Sequence, residues 1–379
     1  MKITDVRTVF ADKYLFVEVE TDTGIVGLGE CGAFVLLEAC AACVQIFKRM
    51  ILGMDPLQRE HISQYILRSY HFRGAVVSAA VSAIDIALWD IAGKHYDAPV
   101  WQLMGGKCRD RARAYYHVWG ATTEELVEGC IDAKRKGFTA VGHLSPFLDE
   151  PRTKPYEETF TQKIGRGAER VCQFRKAVGE EVDLCIEMHR RCTVHEAVSF
   201  AREIAQFRPI FIEDPVRPEN FDDMAQVAAK TDIPIATGER FLSGQEFAML
   251  LSGRCVNYAR PDLCLCGGLT GAKKIAALSE AFGVQIVPHN PLSPVSTAAC
   301  LQIAACIPNF ALLEYPGGDD VPPKSEIIHT DVVVKDGYLI VPDTPGIGAR
   351  LIPGAAEKYP PIQRNLITRL AGDGSVVDQ

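Results

Sequence analysis

The sequence predicts an α/β protein: a (β/α)8-type, TIM-like barrel preceded by an α+β capping domain that a C-terminal segment completes. Three observations predict it. Short apolar runs alternate with amphipathic helical stretches eight times between residues 112 and 320. The first 111 residues open with strand-like alternation and then turn helical. From 321 to 379 the chain has strand-like and turn-rich stretches but no helix to complete a ninth unit.

In the first region, residues 1–111, ITDVRTVFA and YLFVEVET alternate as strands do, and EACAACVQIFKRMI, DPLQREHISQYILRSY and VVSAAVSAIDIALWDIAGK follow as helices. Beyond Arg111 the candidate strands are ARAYYHVW (112–119), FTAVGHL (138–144), DLCIEMH (183–189), IFIED (210–214), PIATGE (234–239), CVNYARPD (255–262), VQIVPH (284–289) and FALLEY (310–315). Between them, stretches such as TEELVEGCIDAKRKG, TVHEAVSFAREIAQF and GAKKIAALSEAFG space apolar residues three and four apart. A doubly wound open sheet shows the same alternation and remains the structural alternative. In the tail, DVVVKDGYLIVP and then TPGIGARLIPG are expected to return to the capping domain as extra strands and a terminal segment.

Composition narrows the function. Over 379 residues the formal charge is −8, which excludes the basic surface that nonspecific binding to nucleic acid or anionic membrane requires. The start, MKITDVRTVFADKYLF, lacks the apolar core of a signal peptide, and no apolar run reads as membrane-spanning. Thirteen cysteines, an odd number set in apolar segments, point to reduced thiols and a cytoplasmic protein. Two motifs are set aside. Cys40 and Cys43 form a C-x-x-C inside a helical run with no second pair at zinc spacing. Gly27, Gly29 and Gly32 spell G-x-G-x-x-G, but they follow a hairpin turning at Asp22-Thr23-Gly24 rather than opening a βαβ unit, so nicotinamide binding is rejected.

In a (β/α)8 barrel the active site lies at the C-terminal ends of the strands. The stretch LCIEMHRR places Glu187 and His189 on one face of a strand end and Leu184, Ile186 and Met188 on the other. The later strands end in Glu213, Glu239, Asp262, His289 and Glu314, at intervals of 23 to 27 residues. Scattered surface acids have no reason to recur at the βα period. Three carboxylates on consecutive strands, Glu187, Glu213 and Glu239, make a hard-oxygen site suited to Mg2+ with open positions, where zinc would prefer histidine or cysteine. Asp262 beside His289 reads as a dyad in which the carboxylate orients the ring and raises its basicity. Two imidazoles, His189 and His289, would then flank a metal-held ligand. Histidine alone is too weak to take a proton from carbon next to a carboxylate, so the metal must stabilise the resulting enediolate. A protonated Glu314 would add a hydrogen bond to the same charge.

These residues resemble the enolase superfamily, mandelate racemase subgroup, most closely its D-galactonate dehydratase branch. The likeness covers nearly the whole chain: HFRGAVVSAAVSAIDIALWDIAGK, APVWQLMGG, IEMHRR, FIEDPV, IATGERFLS, ARPDLCLCGGLT, VPHNPLSPVSTAAC and LLEYP. It implies cap loops, such as Gly29 to Phe34, that close over an acid-sugar substrate, and conversion of an aldonate such as galactonate or gluconate to a 2-keto-3-deoxy acid. His289 is implied to take the C2 proton and His189 to protonate the departing hydroxyl, although the two roles can be exchanged; Glu314 is implied to stabilise the enediolate. Epimerisation is the alternative, since two opposed bases can exchange the C2 proton without loss of water. Relatives are often assembled from several subunits, so a homo-oligomer is expected.

Some features depart from the family pattern. Glu187 stands where aspartate is common, so the ion or the strand must shift. Val141-Gly142-His143-Leu144 lacks the lysine of racemases, and no lysine stands near Asp262. Alternation along its strand points His143 away from the mouth, which leaves open its candidacy as a substrate contact beside Arg190 and Arg191. A metal hydrolase on the same barrel would want H-x-H on the first strand, which offers only His117. A barrel that binds ligand without turnover is disfavoured because every expected polar position is filled.

Overall fold

Eight parallel strands close on themselves: β4 (Arg111–His117), β5 (Ala140–Leu144), β6 (Asp183–Glu187), β7 (Phe211–Glu213), β8 (Ile235–Thr237), β9 (Tyr258–Ala259), β10 (Gln285–Ile286) and β11 (Leu313–Tyr315). The computed structural model describes residues 1–69, 71–147, 153–364, 366 and 368–377. β11 pairs with β4 through Leu313↔Ala114 to Tyr315↔Tyr116, and an Ile286↔Phe310 bridge joins β10 to the approach of β11, so the open-sheet alternative fails. The interior is packed rather than hollow. Tyr115, Ala140, Cys185, Phe211, Ala236 and Val287 form one buried cluster inside it.

The capping region begins with β1 (Ile3–Ala11), β2 (Tyr14–Thr21) and β3 (Val26–Glu30), an antiparallel sheet. It is covered by α1 (Leu37–Ile51), α2 (Arg59–Ser69) and α3 (Ala75–His95), and followed by the short α4 (Val100–Leu103). Contrary to the sequence expectation, α3 is long and apolar enough to cross a membrane. It is instead the central helix of the cap, mostly buried, and carries two buried aspartates that a lipid-facing helix would not. The glycine motif has a packing explanation. A Cβ on Gly27 or Gly29 would collide with the carbonyls of Ala87 or Ala83, so glycine lets β3 lie directly on the backbone of α3.

Around the barrel run α5 (Thr123–Arg135), α6 (Phe160–Val178), α7 (Val194–Ile204), α8 (Phe221–Ala228), α9 (Gly244–Ser252), α10 (Gly268–Ala281) and α11 (Pro294–Cys306). Thr122 with Glu125, Thr159 with Gln162 and Thr193 with Glu196 form capping boxes that fix where α5, α6 and α7 start.

The tail serves both regions. β12 (Ile328–Thr330) pairs with β15 (Ala349–Leu351), while β13 (Val333–Lys335) and β14 (Tyr338–Ile340) form a hairpin whose Asp336-Gly337 turn has positive φ at both positions. That hairpin, expected against the cap, adds antiparallel to the first residues of β4, at the end of the barrel away from the strand tips. The tail reaches the cap elsewhere: Gly346 bridges Pro99, and Asp12 exchanges backbone hydrogen bonds with Tyr359 and Ile362.

Candidate active site

The polar residues gather where the strands end. β6 stops at Glu187 and β7 at Glu213, directly paired in the ladder, and Glu239 follows β8 by two residues. One oxygen from each lies within 4.8 Å of the others. The backbone turns sharply here: His143 (φ 55°), His189 (51°), Arg190 (65°) and Asp214 (39°) are left-handed without being glycine. Such conformations cost about 1–3 kcal/mol each, and they cluster where the fold must aim particular side chains.

The three glutamates crowd one another. Burial lifts the pKa of Glu187 well above the usual carboxylate range, and the charges of Glu213 and Glu239 push it the same way. Burial takes Glu213 up to about 8 against the pull of Arg260, with Glu239 adding to the rise. For Glu239, burial is outweighed by His289 and His189, which hold it below its ordinary value. Arg260 pairs with Glu213, and Arg190 Nη1 lies 3.6 Å from Glu239 Oε1, so part of the charge is offset from within. Desolvated, mutually repelling carboxylate oxygens at this spacing fit a hard divalent cation. The longer side chain of Glu187 still reaches the cluster.

Asp262 and His289 lie just past β9 and β10 and meet in a backbone bridge, with Asp262 Oδ2 2.8 Å from His289 Nδ1. The other ring nitrogen, Nε2, is 3.4 Å from Glu239 Oε2. Burial would lower the pKa of His289, but Glu239 and the hydrogen bond to Asp262 outweigh it and raise the imidazole to about 10. His189 stands on the other flank, where its backbone N–H donates to Glu187 Oε1 at 2.6 Å.

A cavity of about 270 Å³ opens beside Glu187 and His189, walled by Trp119, His143, Ser145 and Arg191. His143 therefore faces the mouth, against the expectation from alternation, because its positive φ breaks the extended geometry on which alternation rests. Its ring stacks on His117 at 4.2 Å between centroids, and His117 stacks on Trp119 at 3.9 Å. Arg191 lines the same cavity and donates to the Phe147 carbonyl. Arg190 is not among the residues lining it and turns instead to Glu239.

Glu314 differs most from the sequence expectation. Its Oε1 lies 2.9 Å from His117 Nδ1, and its Oε2 accepts from Arg260 Nη2 at 2.6 Å and from the Asn290 N–H at 3.0 Å. Burial would raise its pKa, but Arg260 and the His117 hydrogen bond hold it well below the usual range. An ionised carboxylate only accepts, so Glu314 is no hydrogen-bond donor and His117 Nδ1 carries the proton. His117 is itself buried, which lowers its pKa and keeps the ring neutral despite Glu314. Sequence reasoning missed His117 and Arg260. Both left a signal: His117 ends the first barrel strand, and Arg260 shares the parity of Asp262 two residues on.

Fold and site together define a capped (β/α)8-barrel protein with a three-carboxylate centre flanked by imidazoles. The chain belongs to the enolase superfamily, in the mandelate racemase/muconate lactonizing enzyme group. Residues 2–105 match the mandelate racemase/muconate lactonizing enzyme N-terminal domain, and residues 126–355 match the enolase C-terminal domain-like family. Among curated relatives, a D-galactonate dehydratase of Ralstonia pickettii is 32% identical with all of both chains covered. Another D-galactonate dehydratase, from Cronobacter sakazakii, is 33% identical over 93% of this chain and 92% of its own. Among solved structures, an enolase superfamily member from Salmonella Typhimurium superposes with TM-score 0.89 at 31% identity, covering 95% of this chain and 98% of its own. An Agrobacterium radiobacter enolase bound to Na and L-malate superposes with TM-score 0.92 at 28% identity over the full length of both.

Proposed function

We propose that the protein is a Mg2+-dependent sugar-acid dehydratase, acting on an aldonate such as galactonate or gluconate to give a 2-keto-3-deoxy acid. The enzyme is a carbon–oxygen lyase of the hydro-lyase type. The observation that carries this reading is the carboxylate-backed imidazole of His289 at the edge of the three-glutamate centre, 3.4 Å from Glu239. Relatives named D-galactonate dehydratase support the substrate class.

Glu187, Glu213 and Glu239 would hold the cation. When bound, it supplies positive charge to the substrate carboxylate as the C2 proton leaves. His289 takes that proton at Nε2, while Asp262 holds Nδ1 and stabilises the imidazolium that forms. To accept a proton His289 must first be neutral, and neutralising Glu239 removes the largest influence that raises it. His189 gives a proton to the C3 hydroxyl, which leaves as water; the enol so formed becomes the 2-keto-3-deoxy product. General acid and base catalysis of this kind contributes about 10²–10⁴-fold. Glu314 acts as an anionic anchor for His117, Arg260 and Asn290. His143 and Arg191 read the substrate from the cavity wall, and Arg190 steadies Glu239. We place the reaction in the cytoplasm, where thirteen unpaired thiols stay reduced, and in a homo-oligomer that light scattering would detect.

The test is incubation with a panel of aldonic and aldaric acids in D2O with Mg2+. A semicarbazide-reactive 2-keto product from one acid is expected. Deuterium at C2 without that product would replace dehydration by epimerisation.

A further inference from the structure

The cap touches the base dyad from two sides. β3 ends at Glu30, which is completely buried. Glu30 Oε2 accepts from Ser293 Oγ at 2.6 Å and from the Ser296 N–H at 3.1 Å, while Oε1 accepts from the Ser293 N–H at 3.2 Å. Ser293 closes the short loop that leaves His289. The start of that loop is held separately, by the Asn290 N–H on Glu314. Glu30 therefore fixes the far end of the segment that carries the imidazole.

Two residues beyond Glu30, the Gly32 N–H donates to the Cys264 carbonyl at 3.0 Å. The Cys264 N–H in turn donates to Asp262 Oδ1 at 2.7 Å, leaving Oδ2 for His289. A Cβ on Gly32 would stand 2.8 Å from Cys264 Cβ and 2.9 Å from its carbonyl oxygen, so only glycine permits this approach. One end of one cap strand thus grips both loops whose side chains form the dyad.

We propose that Glu30 and Gly32 are positioning residues for the Asp262–His289 dyad, so that the cap sets the geometry of the base as well as covering the site. Helix capping alone does not account for Glu30. Ser293 already caps α11 with its own hydroxyl, accepting from the Val295 N–H at 3.1 Å. Burying a further carboxylate there is costly unless its placement matters. The tolerance of a catalytic group is small: a misplacement of about 1 Å can cost 10²-fold in rate.

The kinetic part of the test rests on His289 being the base; the crystallographic part does not. Glu30→Gln keeps the shape but turns an amide N–H toward at least one of three donors, and Gly32→Ala forces the cap loop off Cys264. Crystal structures of both Mg2+-loaded full-length variants should show the 2.8 Å Asp262–His289 contact lengthened or the ring displaced by about 0.5 Å or more. With turnover, kcat should fall about 10- to 100-fold with KM within about twofold and Mg2+ affinity by calorimetry unchanged. Glu30→Asp, which keeps the charge, should recover part of kcat and replaces Glu30→Gln if that variant does not fold. An undisturbed dyad in both variants, or a lower melting temperature with unchanged kcat per folded molecule, overturns the proposal. If the unsubstituted enzyme dehydrates no acid sugar, the proposed function fails while the dyad geometry still decides this inference.

Discussion

Two groups of three carboxylates, all buried but for the partly exposed Glu239, face opposite demands. Glu30, Asp85 and Asp90 lie where the cap meets the barrel and the tail; Glu187, Glu213 and Glu239 lie at the barrel mouth. At the seam each acid finds donors. Asp85 accepts from the Thr270 N–H (2.9 Å) and hydroxyl (2.6 Å) at the start of α10, and Asp90 from the Leu28 and Ile347 N–H groups (both 3.0 Å) and from Lys94 (2.6 Å). At the mouth the acids face one another. Burial is unfavourable in both places, but at the seam hydrogen-bond donors offset part of it, whereas at the mouth the acids also repel one another and Arg260 and Arg190 offset only part of the charge. Partners, not residue type, separate the acids that brace the chain from those that could hold a cation.

The largest expected effect comes from the mouth. Glu213→Gln or Glu239→Gln should lower turnover by about 10²–10³-fold or more and weaken Mg2+ binding in calorimetry. Glu187→Gln should raise the melting temperature of the metal-free protein, because burial and the charges of Glu213 and Glu239 all oppose ionisation of Glu187. Unchanged Mg2+ affinity would erase the contrast. Asp90→Ala at the seam should do the reverse: a loss of about 3 kcal/mol in urea unfolding, with Mg2+ affinity intact.

A smaller effect separates the seam acids by pH. Burial raises Glu30 to about 7 and Asp85 to about 6, against hydrogen bonds from Ser293 and from Thr270 that pull them down. A raised carboxyl keeps its proton in the folded state after the unfolded chain has released it. Stability from these groups is therefore unaffected below about pH 4 and falls as pH rises toward 6 to 7, by at most about 1.4 kcal/mol per pH unit for each group. Melting temperatures across that range should show a shallower decline in Glu30→Gln than in the unsubstituted protein. The smallest effect lies on the exposed rim of the seam. Lys274 pairs with Glu60 there, both more than half exposed, and Lys274→Ala should change stability by no more than about 1 kcal/mol.

How far the sequence could be read follows the same division. The strand-end acids and His289 were legible because βα periodicity writes one strand tip into every 23 to 27 residues. His143 was misdirected because alternation presumes extended backbone and it sits at positive φ; the direction of Arg190, also at positive φ, was not legible at all. Glu314 looked like a donor because its neighbours come from far away: Arg260 is 54 residues distant and His117 is 197, and only closure of β11 onto β4 brings them together. The seam was invisible for the same reason, since Glu30 meets Ser293 across 263 residues. Asp85, Asp90 and Lys94 interrupt the apolar run of α3, yet the helix itself is 21 residues long, and its burial shows only in the fold.

The glycines of β3 bear on how such a cap can move. With no side-chain layer between Gly27 or Gly29 and the main chain of α3, that strand has no lubricating row of methyl groups over which to slide. Sheet and helix are packed main chain to main chain as far as Gly29, and the first left-handed residue beyond Gly32 is Val35, at φ 75°. An entrance hinged at that bend would leave the wall behind it undisturbed.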